Sequence, residues 1–284
     1  MPSSAHDPVT ASRGPSQDRD ALAQAFAALA IAAGAVAMEV FERGRVDVRY
    51  KDDNSPVCEA DERVEALLLH ELARLLPGVP IVAEESAAAG RTPAHERAFL
   101  LVDPLDGTRE FIAHGAEFTI NIALVEDGAP RAGAIFAPAL ARIWFGGARA
   151  FGVAVEPGHA LPPRGEWRTL RARRRPKEGM VALVSRSHLD EETLAFLDRN
   201  NIRHRVAAAS SLKFCRLAEG EADVYPRYGP TMEWDTAAGD AILRAAGGVV
   251  LDPAGRPFRY GKADQAYRNG PFIAWGDAES ATLS

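Results

Sequence analysis

The sequence predicts an α+β protein whose first half is built on an antiparallel sheet and whose second half is α/β. Three observations lead there. Between residues 98 and 146, apolar runs of strand length are separated by short turns rich in Gly, Pro and Asp, which is the rhythm of hairpins. From residue 180 onward, strand-like runs alternate with stretches of helical period. The chain has 284 residues, 47% of them hydrophobic, enough to bury one large core or two that share an interface.

Charge and cysteine content narrow the function classes. A formal net charge of −6 argues against a nucleic-acid polymer as partner but leaves a small polyanion open, because bound cations reverse the local sign. The two cysteines, Cys58 and Cys215, are far apart and in no metal-type spacing, which excludes a disulfide framework and a zinc site. A reducing cytoplasm is the expected location.

In chain order, residues 1–19 read as a disordered leader rich in Ser, Pro, Asp and Arg. Residues 20–176 form the expected N-terminal α+β domain. The run from Ala21 to Met38 carries no charge, but alanine dominates it and Leu22, Phe26, Leu29, Val36 and Val40 can share one helical face. A buried helix is expected there, not a transmembrane span. Val46 to Tyr50 alternates as a strand, Lys51 to Val57 has turn composition, and a helix starts near Glu59 with Asp61 in its first turn, where a carboxylate offsets the helix dipole. Pro80 to Ala83 is a short strand ending in Glu84-Glu85, and Ala87 to Arg97 is a connection.

Ala98 to Val102 is a short buried strand, so the carboxylates of Asp103-Pro104-Leu105-Asp106 emerge at its carboxyl end, where α/β sheets place ligands. Pro104 stiffens the turn, Gly107 permits an open backbone, and Thr108 to Ile112 can begin a helix whose first N–H groups face an anion. Hard oxygen ligands beside such a helix start suit divalent cations and a phosphate. Phe118 to Val125, Ala132 to Phe136 and Ile143 to Phe145 continue the meander. Pro157 to Lys177 is Arg-rich and reads as an exposed interdomain segment, with a weak contact to anionic lipid as an alternative use.

Residues 177–284 form the expected C-terminal α/β domain. Met180 to Val184, Val206 to Ala209, Val224 to Arg227, Val249 to Leu251 and Phe272 to Trp275 read as strands. Asp190 caps a helix to Arg199, Ser210-Ser211-Leu212-Lys213 caps another, and Asp235 caps a third that Gly247-Gly248 terminates.

The string Asp103-Pro-Leu-Asp-Gly-Thr108 resembles the metal-binding motif of the lithium-sensitive, magnesium-dependent phosphomonoesterases of the inositol monophosphatase superfamily. Arg109-Glu110-Phe111 looks most like the 3′(2′),5′-bisphosphate nucleotidase branch. Trp234-Asp235-Thr-Ala-Ala-Gly239 is similar to the superfamily's second signature, and Lys51 to Asp61 to the segment before the catalytic strand, with Cys58 where threonine is usual. The resemblance covers Leu22 to Trp275 and implies a layered αβαβα sandwich of the sugar-phosphatase type.

For the site, the resemblance implies two Mg²⁺ ions and allows a third near Glu84. One is held by Glu84, Asp103 and the Leu105 backbone oxygen, the other by Asp103, Asp106 and Asp235. Asp61 and Thr108 orient and deprotonate the attacking water. Gly107, Thr108, His188, Ser211 and Lys213 bind the substrate, with Lys213 on a second phosphate. The implied reaction is hydrolysis of 3′-phosphoadenosine 5′-phosphate to AMP and phosphate, which recycles the by-product of sulfate assimilation. Ala209 departs from the glycine of close relatives. The alternatives are an inositol monophosphatase, a fructose-1,6-bisphosphatase, and a non-catalytic magnesium and nucleotide-binding module. The implied location is the cytoplasm, with a peripheral position on the inner membrane admitted by the Arg-rich segment.

Overall fold

The computed structural model describes residues 18–44, 47–51, 55–186 and 189–282. The leader therefore lies outside the described residues up to residue 17. Asp18 and Arg19, read as its end, instead cap and open the first helix: Asp18 Oδ1 accepts the Ala21 N–H at 2.9 Å.

The first part of the chain forms α1 (Arg19–Glu42), β1 (Val48–Tyr50), β2 (Pro56–Cys58), α2 (Glu59–Leu75), β3 (Ile81–Ala83), α3 (Glu84–Ala88), β4 (Ala98–Asp106), α4 (Thr108–Ile112) and β5 (Thr119–Glu126). Strands β6 (Ala129–Ala137), β7 (Arg142–Gly146), β8 (Ala150–Ala154) and β9 (Arg168–Thr169) follow. The remainder forms β10 (Val181–Ser185), α5 (Glu191–Arg199), β11 (His204–Ala208), α6 (Leu212–Ala218), β12 (Val224–Arg227) and β13 (Thr231–Met232). It ends with α7 (Glu233–Ala245), β14 (Val249–Leu251), β15 (Arg268–Asn269) and β16 (Phe272–Trp275).

Seven strands form one sheet in the order β3-β4-β5-β6-β7-β8-β9, and five form another in the order β11-β10-β12-β16-β14. The first is antiparallel from β4 to β9, as the hairpin rhythm predicts, whereas β3 joins β4 in parallel. The chain makes that parallel return through α3, a helix at residues read from the sequence as a strand end and the start of a connection. In the second sheet β10, β11 and β12 run parallel, and β16 is antiparallel to both β12 and β14.

Alternating side chains of β4 serve two cores. Leu100 and Val102 pack with Phe26 of α1 and Leu68 of α2, while Phe99 and Leu101 pack on the other face with Phe214 of α6 and Ile242 of α7. Burial on both faces is why this strand reads as a continuous apolar run. Beyond the second sheet, Ala182, Val184 and Val224 pack with Phe196 and Leu197 of α5. The layers are thus α1 and α2, seven strands, α6 and α7, five strands, and α5: the αβαβα sandwich. Gly133 of β6 lets α7 sit directly on the sheet, since a Cβ there would stand 2.8 Å from the Ala238 backbone.

Helix α1 is long and apolar enough to cross a membrane, with half of its most apolar stretch buried inside the protein. Leu22, Phe26, Ile31 and Val40 belong to the core it shares with α2 and the first sheet. Truncating Phe26 to alanine there would cost about 3–5 kcal/mol.

Candidate active site

Strand β4 does not stop at Val102. It runs through the motif to Asp106, and its pairing with β5 shifts register between Asp103 and Asp106. Pro104 cannot donate to the ladder, so the shift lets the strand pass a residue that regular pairing would exclude. Asp103 is buried, and its Oδ1 accepts the Leu105 N–H at 3.0 Å. Gly107 then turns the chain at φ +98°, where a Cβ would lie 2.6 Å from Ser210 Oγ. Only glycine meets both demands. Helix α4 starts immediately after, with Thr108 Oγ1 3.0 Å from Asp61 Oδ1 and 3.1 Å from the Leu105 carbonyl.

Asp61 is buried near the start of α2 and folds back on Cys58, whose backbone N–H and thiol both lie 2.9 Å from Oδ2. The thiol thus fills the place read from the sequence as a lost hydroxyl. Burial pushes the Cys58 thiol up to about 12, with the Asp61 charge adding to the rise, so it acts as a neutral donor. Asp61 itself is pushed up to about 6, chiefly by burial, against the lowering pull of the Cys58 donors.

Asp235 does not cap α7 as expected. It sits in the first turn, and its Oδ2 accepts the N–H of Met232, the residue before the helix, at 2.7 Å. Ser211 likewise does not cap α6 with its side chain. Its hydroxyl bridges Thr119 at 2.8 Å and Asn121 at 2.9 Å, while its backbone N–H holds Asp106 Oδ2 at 2.7 Å. Ser210, in the left-handed region at φ +51°, donates from Oγ to the Asp106 carbonyl at 3.0 Å. The second half of the chain therefore pins a carboxylate of the first half.

Glu84, Asp103, Leu105, Asp106, Gly107, Thr108 and Asp235 line one pocket of about 300 Å³, together with Ser185, Arg186, Ala209 and Ser210. Every residue expected to hold metal is there. Asp61 reaches the pocket through Thr108. Burial raises Asp103 and Asp235 well above the usual carboxylate range, and the mutual charges of Glu84, Asp106 and Asp235 raise them further. Asp106 is pushed up to about 6 by burial, with Lys213 and the Ser211 N–H pulling it back.

This donor set, all hard oxygens with repulsion among them, fits a divalent cation such as Mg²⁺. Among the described residues no three of these side chains already converge as a closed metal cage. Each carboxylate is instead anchored by hydrogen bonds within the protein, among them those to Leu105, Ser211, Met232 and Lys51.

A second pocket of about 240 Å³ adjoins the first and shares Asp106, Ser185, Ser210 and Asp235 with it. Its walls add Ser211, Lys213, Tyr225, Arg227, Thr231 and Thr236. Lys213 is buried, its Nζ donating to the Ser210 carbonyl at 2.6 Å and the Ala208 carbonyl at 3.2 Å. Burial pushes it down to about 8, against the raising charge of Asp106. His188 lies outside the described residues.

Several site residues escaped the sequence reading. Lys51 bridges Glu84 at 2.8 Å and Glu85 at 2.7 Å. Glu117 accepts the Ala209 N–H at 2.9 Å and pairs with Arg186 at 2.8 Å. Asn121 and Arg227 were legible as lone polar residues in apolar strands; Glu117 carried no signal.

The sandwich and its carboxylate-lined pocket over a helix start are the build of a metal-dependent phosphomonoesterase. The chain belongs to the inositol monophosphatase family, whose sequence profile matches residues 18–281. Members of this family are in general Mg²⁺-dependent phosphatases. The 3′(2′),5′-bisphosphate nucleotidase CysQ of Salmonella typhimurium is 39% identical over 234 residues, 82% of this chain and 91% of that protein. The CysQ of Haemophilus influenzae is 30% identical over 243 residues, 84% of this chain and 87% of that one. Among solved structures, CysQ from Bacteroides thetaiotaomicron superposes with a TM-score of 0.75 at 33% identity, covering 90% of this chain and 97% of that chain. An inositol monophosphatase from Zymomonas mobilis does so with a TM-score of 0.71 at 26% identity, covering 95% and 98%.

Proposed function

We propose that this chain is a Mg²⁺-dependent 3′(2′),5′-bisphosphate nucleotidase that hydrolyses 3′-phosphoadenosine 5′-phosphate to AMP and phosphate, recycling the by-product of sulfate assimilation. The observation that carries the reading is the pair of adjoining pockets: the first is lined by Glu84, Asp103, Asp106 and Asp235, and the second, which shares Asp106 and Asp235, adds the cations Lys213 and Arg227. A substrate with two phosphates can place one in each. The names of the CysQ relatives point the same way.

In this reading Glu84, Asp103 and the Leu105 carbonyl would hold one Mg²⁺ and Asp103, Asp106 and Asp235 a second, and Glu84 could take part in holding a third. Bound metal supplies positive charge for the phosphoryl oxygens and makes water more acidic. Thr108 orients the attacking water and Asp61 accepts its proton. The water oxygen bonds to phosphorus as the bond to the ribose 3′ oxygen breaks; that oxygen takes a proton from solvent to become the AMP hydroxyl, and Asp61 returns its proton to solvent. Backbone N–H groups at Gly107 and Thr108 hold phosphoryl oxygens. Lys213 binds the retained phosphate, and Ser211 and His188 are the further substrate-binding residues of this reading. A phosphate reaching Lys213 replaces a bond to an uncharged carbonyl with one to an opposite charge.

We also propose the unit boundary near residue 176, supported by β9 ending the first sheet and β10 starting in the second, and a cytoplasmic location. A weak contact with anionic lipid, and with it a peripheral position, is a separate proposal. It would use Arg171, Arg174 and Arg175, which are exposed, because Arg164 lies over the Phe151 and Trp167 rings and Arg173 pairs with Asp223. Co-sedimentation with anionic vesicles tests it.

Phosphate release from 3′-phosphoadenosine 5′-phosphate, with Mg²⁺ and after chelation, tests the main reading. Release that needs Mg²⁺ is expected; Mg²⁺-dependent binding without release would make the chain a binding module instead.

A further inference from the structure

Glu65 lies one helical turn beyond Asp61 on α2, at i+4 and so on the same face. Its side chain is buried and does not line the active-site pocket. Instead it reaches the first turn of α3. Oε2 accepts the Glu85 N–H at 2.7 Å, and Oε1 accepts the Ser86 N–H at 2.8 Å and the Ser86 hydroxyl at 2.6 Å.

The first N–H groups of a helix have no partner within it. Here the residue before the helix is Ala83, whose side chain supplies no cap. A helix of five residues also cannot hold itself by propensity. Glu65, about twenty residues earlier in the chain, does the work of the missing cap. The first residue of α3 is Glu84, so the turn that Glu65 holds is the one that carries Glu84 to the pocket. Lys51 fixes the Glu84 carboxylate from the side, at 2.8 Å, but nothing in that contact fixes its backbone.

Resting on the assignment of Glu84 as a Mg²⁺ ligand, we infer that Glu65 is a positioning residue that sets Glu84 at the ion site. Because Asp61 and Glu65 share one face of α2, that helix also sets the separation between the proton acceptor and the metal-binding carboxylate. Removing Glu65 weakens Mg²⁺ binding while leaving substrate contacts in place once Mg²⁺ saturates. Groups that orient a metal ligand are worth about ten- to a hundredfold in metal affinity.

The test titrates metal-free full-length protein with Mg²⁺ alone by calorimetry and follows amide exchange at Glu85 and Ser86. Glu65→Ala is expected to weaken Mg²⁺ binding by about tenfold or more and to speed exchange at both amides. Glu65→Gln, which keeps one acceptor oxygen but turns an NH₂ toward an N–H donor, should fall between. Should Glu65→Ala fail to fold, Glu65→Gln and Ser86→Ala carry the test, the latter removing only the 2.6 Å hydroxyl contact. Variants that bind Mg²⁺ as the wild type does, with only a lower Tm, would overturn the inference and leave Glu65 a structural cap. A wild-type protein that binds no Mg²⁺ would overturn the ligand assignment itself, and the inference with it.

Discussion

Thr108 Oγ1 lies 3.0 Å from Asp61 Oδ1, and the same hydroxyl lies 3.1 Å from the Leu105 carbonyl. One proton cannot serve both acceptors at full strength. When Asp61 is ionised, the hydroxyl donates to it and leaves the Leu105 oxygen to other partners; when Asp61 is protonated, Asp61 can donate and Thr108 can turn to Leu105. The proton state of Asp61 is thus linked to a backbone oxygen assigned to the metal. Thr108→Val, which keeps the shape and removes the hydroxyl, should lower kcat about a hundredfold or more in saturating Mg²⁺. Thr108→Ser should keep most of the activity. Equal loss in both variants would assign Thr108 to packing.

Asp103 is held in the fold at a cost that a bound metal would remove. Its carboxyl is buried among Glu84, Asp106 and Asp235, and burial and those charges hold it well above the usual range. Asparagine keeps the shape without the charge. Metal-free Asp103→Asn should therefore melt a few degrees higher than the wild type at pH 8, at about 2–4 °C per kcal/mol for a chain of this size. Its activity should fall by several orders of magnitude, and its Mg²⁺-induced rise in Tm should shrink. Near-native turnover would refute the assignment of Asp103 to the metal.

The same chemistry gives a sign to the pH dependence of stability without metal. Asp106 has a folded value of about 6, against about 3.9 in an unfolded chain. The folded state binds the proton more tightly, so the stabilising contribution is complete below the unfolded value and is lost as pH rises through the folded one. Metal-free protein should lose this contribution between about pH 4 and pH 6. Added Mg²⁺ should restore stability above that window. Thermal melts across pH, with and without Mg²⁺, check both.

On the proposed role of Lys213, that residue governs the alkaline side of catalysis. It is pushed down to about 8 by burial, so its charge weakens as pH passes that value. KM for 3′-phosphoadenosine 5′-phosphate should rise there, and KM for a small monophosphate should not. Lys213→Arg, which stays charged, should move the rise to higher pH. Lys213→Met, which keeps much of the volume, should raise KM for the bisphosphate about ten- to a hundredfold. Equal losses on both substrates would place Lys213 on the fold or on the cleaved phosphate.

Much of this pocket was legible in the sequence because its carboxylates lie in short strings with strong local consequences. Asp103 to Thr108 combines a strand end, a proline, a glycine and a helix start, and Asp235 opens a helix in a recognisable string. What was not legible depends on pairs far apart in the chain. The Ser211 N–H on Asp106 spans 105 positions, and the Glu117 contact with Ala209 spans 92. No periodicity records such contacts. Local rules also misplaced some groups: Asp235 and Ser211 both stand where a cap is expected, yet Asp235 lies inside the first turn and the Ser211 hydroxyl serves Asn121. The sequence reading ends this strand at Val102, where the apolar run stops, yet β4 continues and a register shift carries it past Pro104.

The most direct test of the account is a comparison of kcat/KM for 3′-phosphoadenosine 5′-phosphate, inositol 1-phosphate and fructose 1,6-bisphosphate on the wild-type protein in saturating Mg²⁺. Lys213 and Arg227 in the second pocket predict a preference of at least about tenfold for the nucleotide over inositol 1-phosphate, the lower bound for a charge-assisted contact to a second phosphate; fructose 1,6-bisphosphate also carries two phosphates, so the preference over it tests the nucleoside part of the reading. An equal or higher value for either of the other two substrates would contradict the nucleotidase reading.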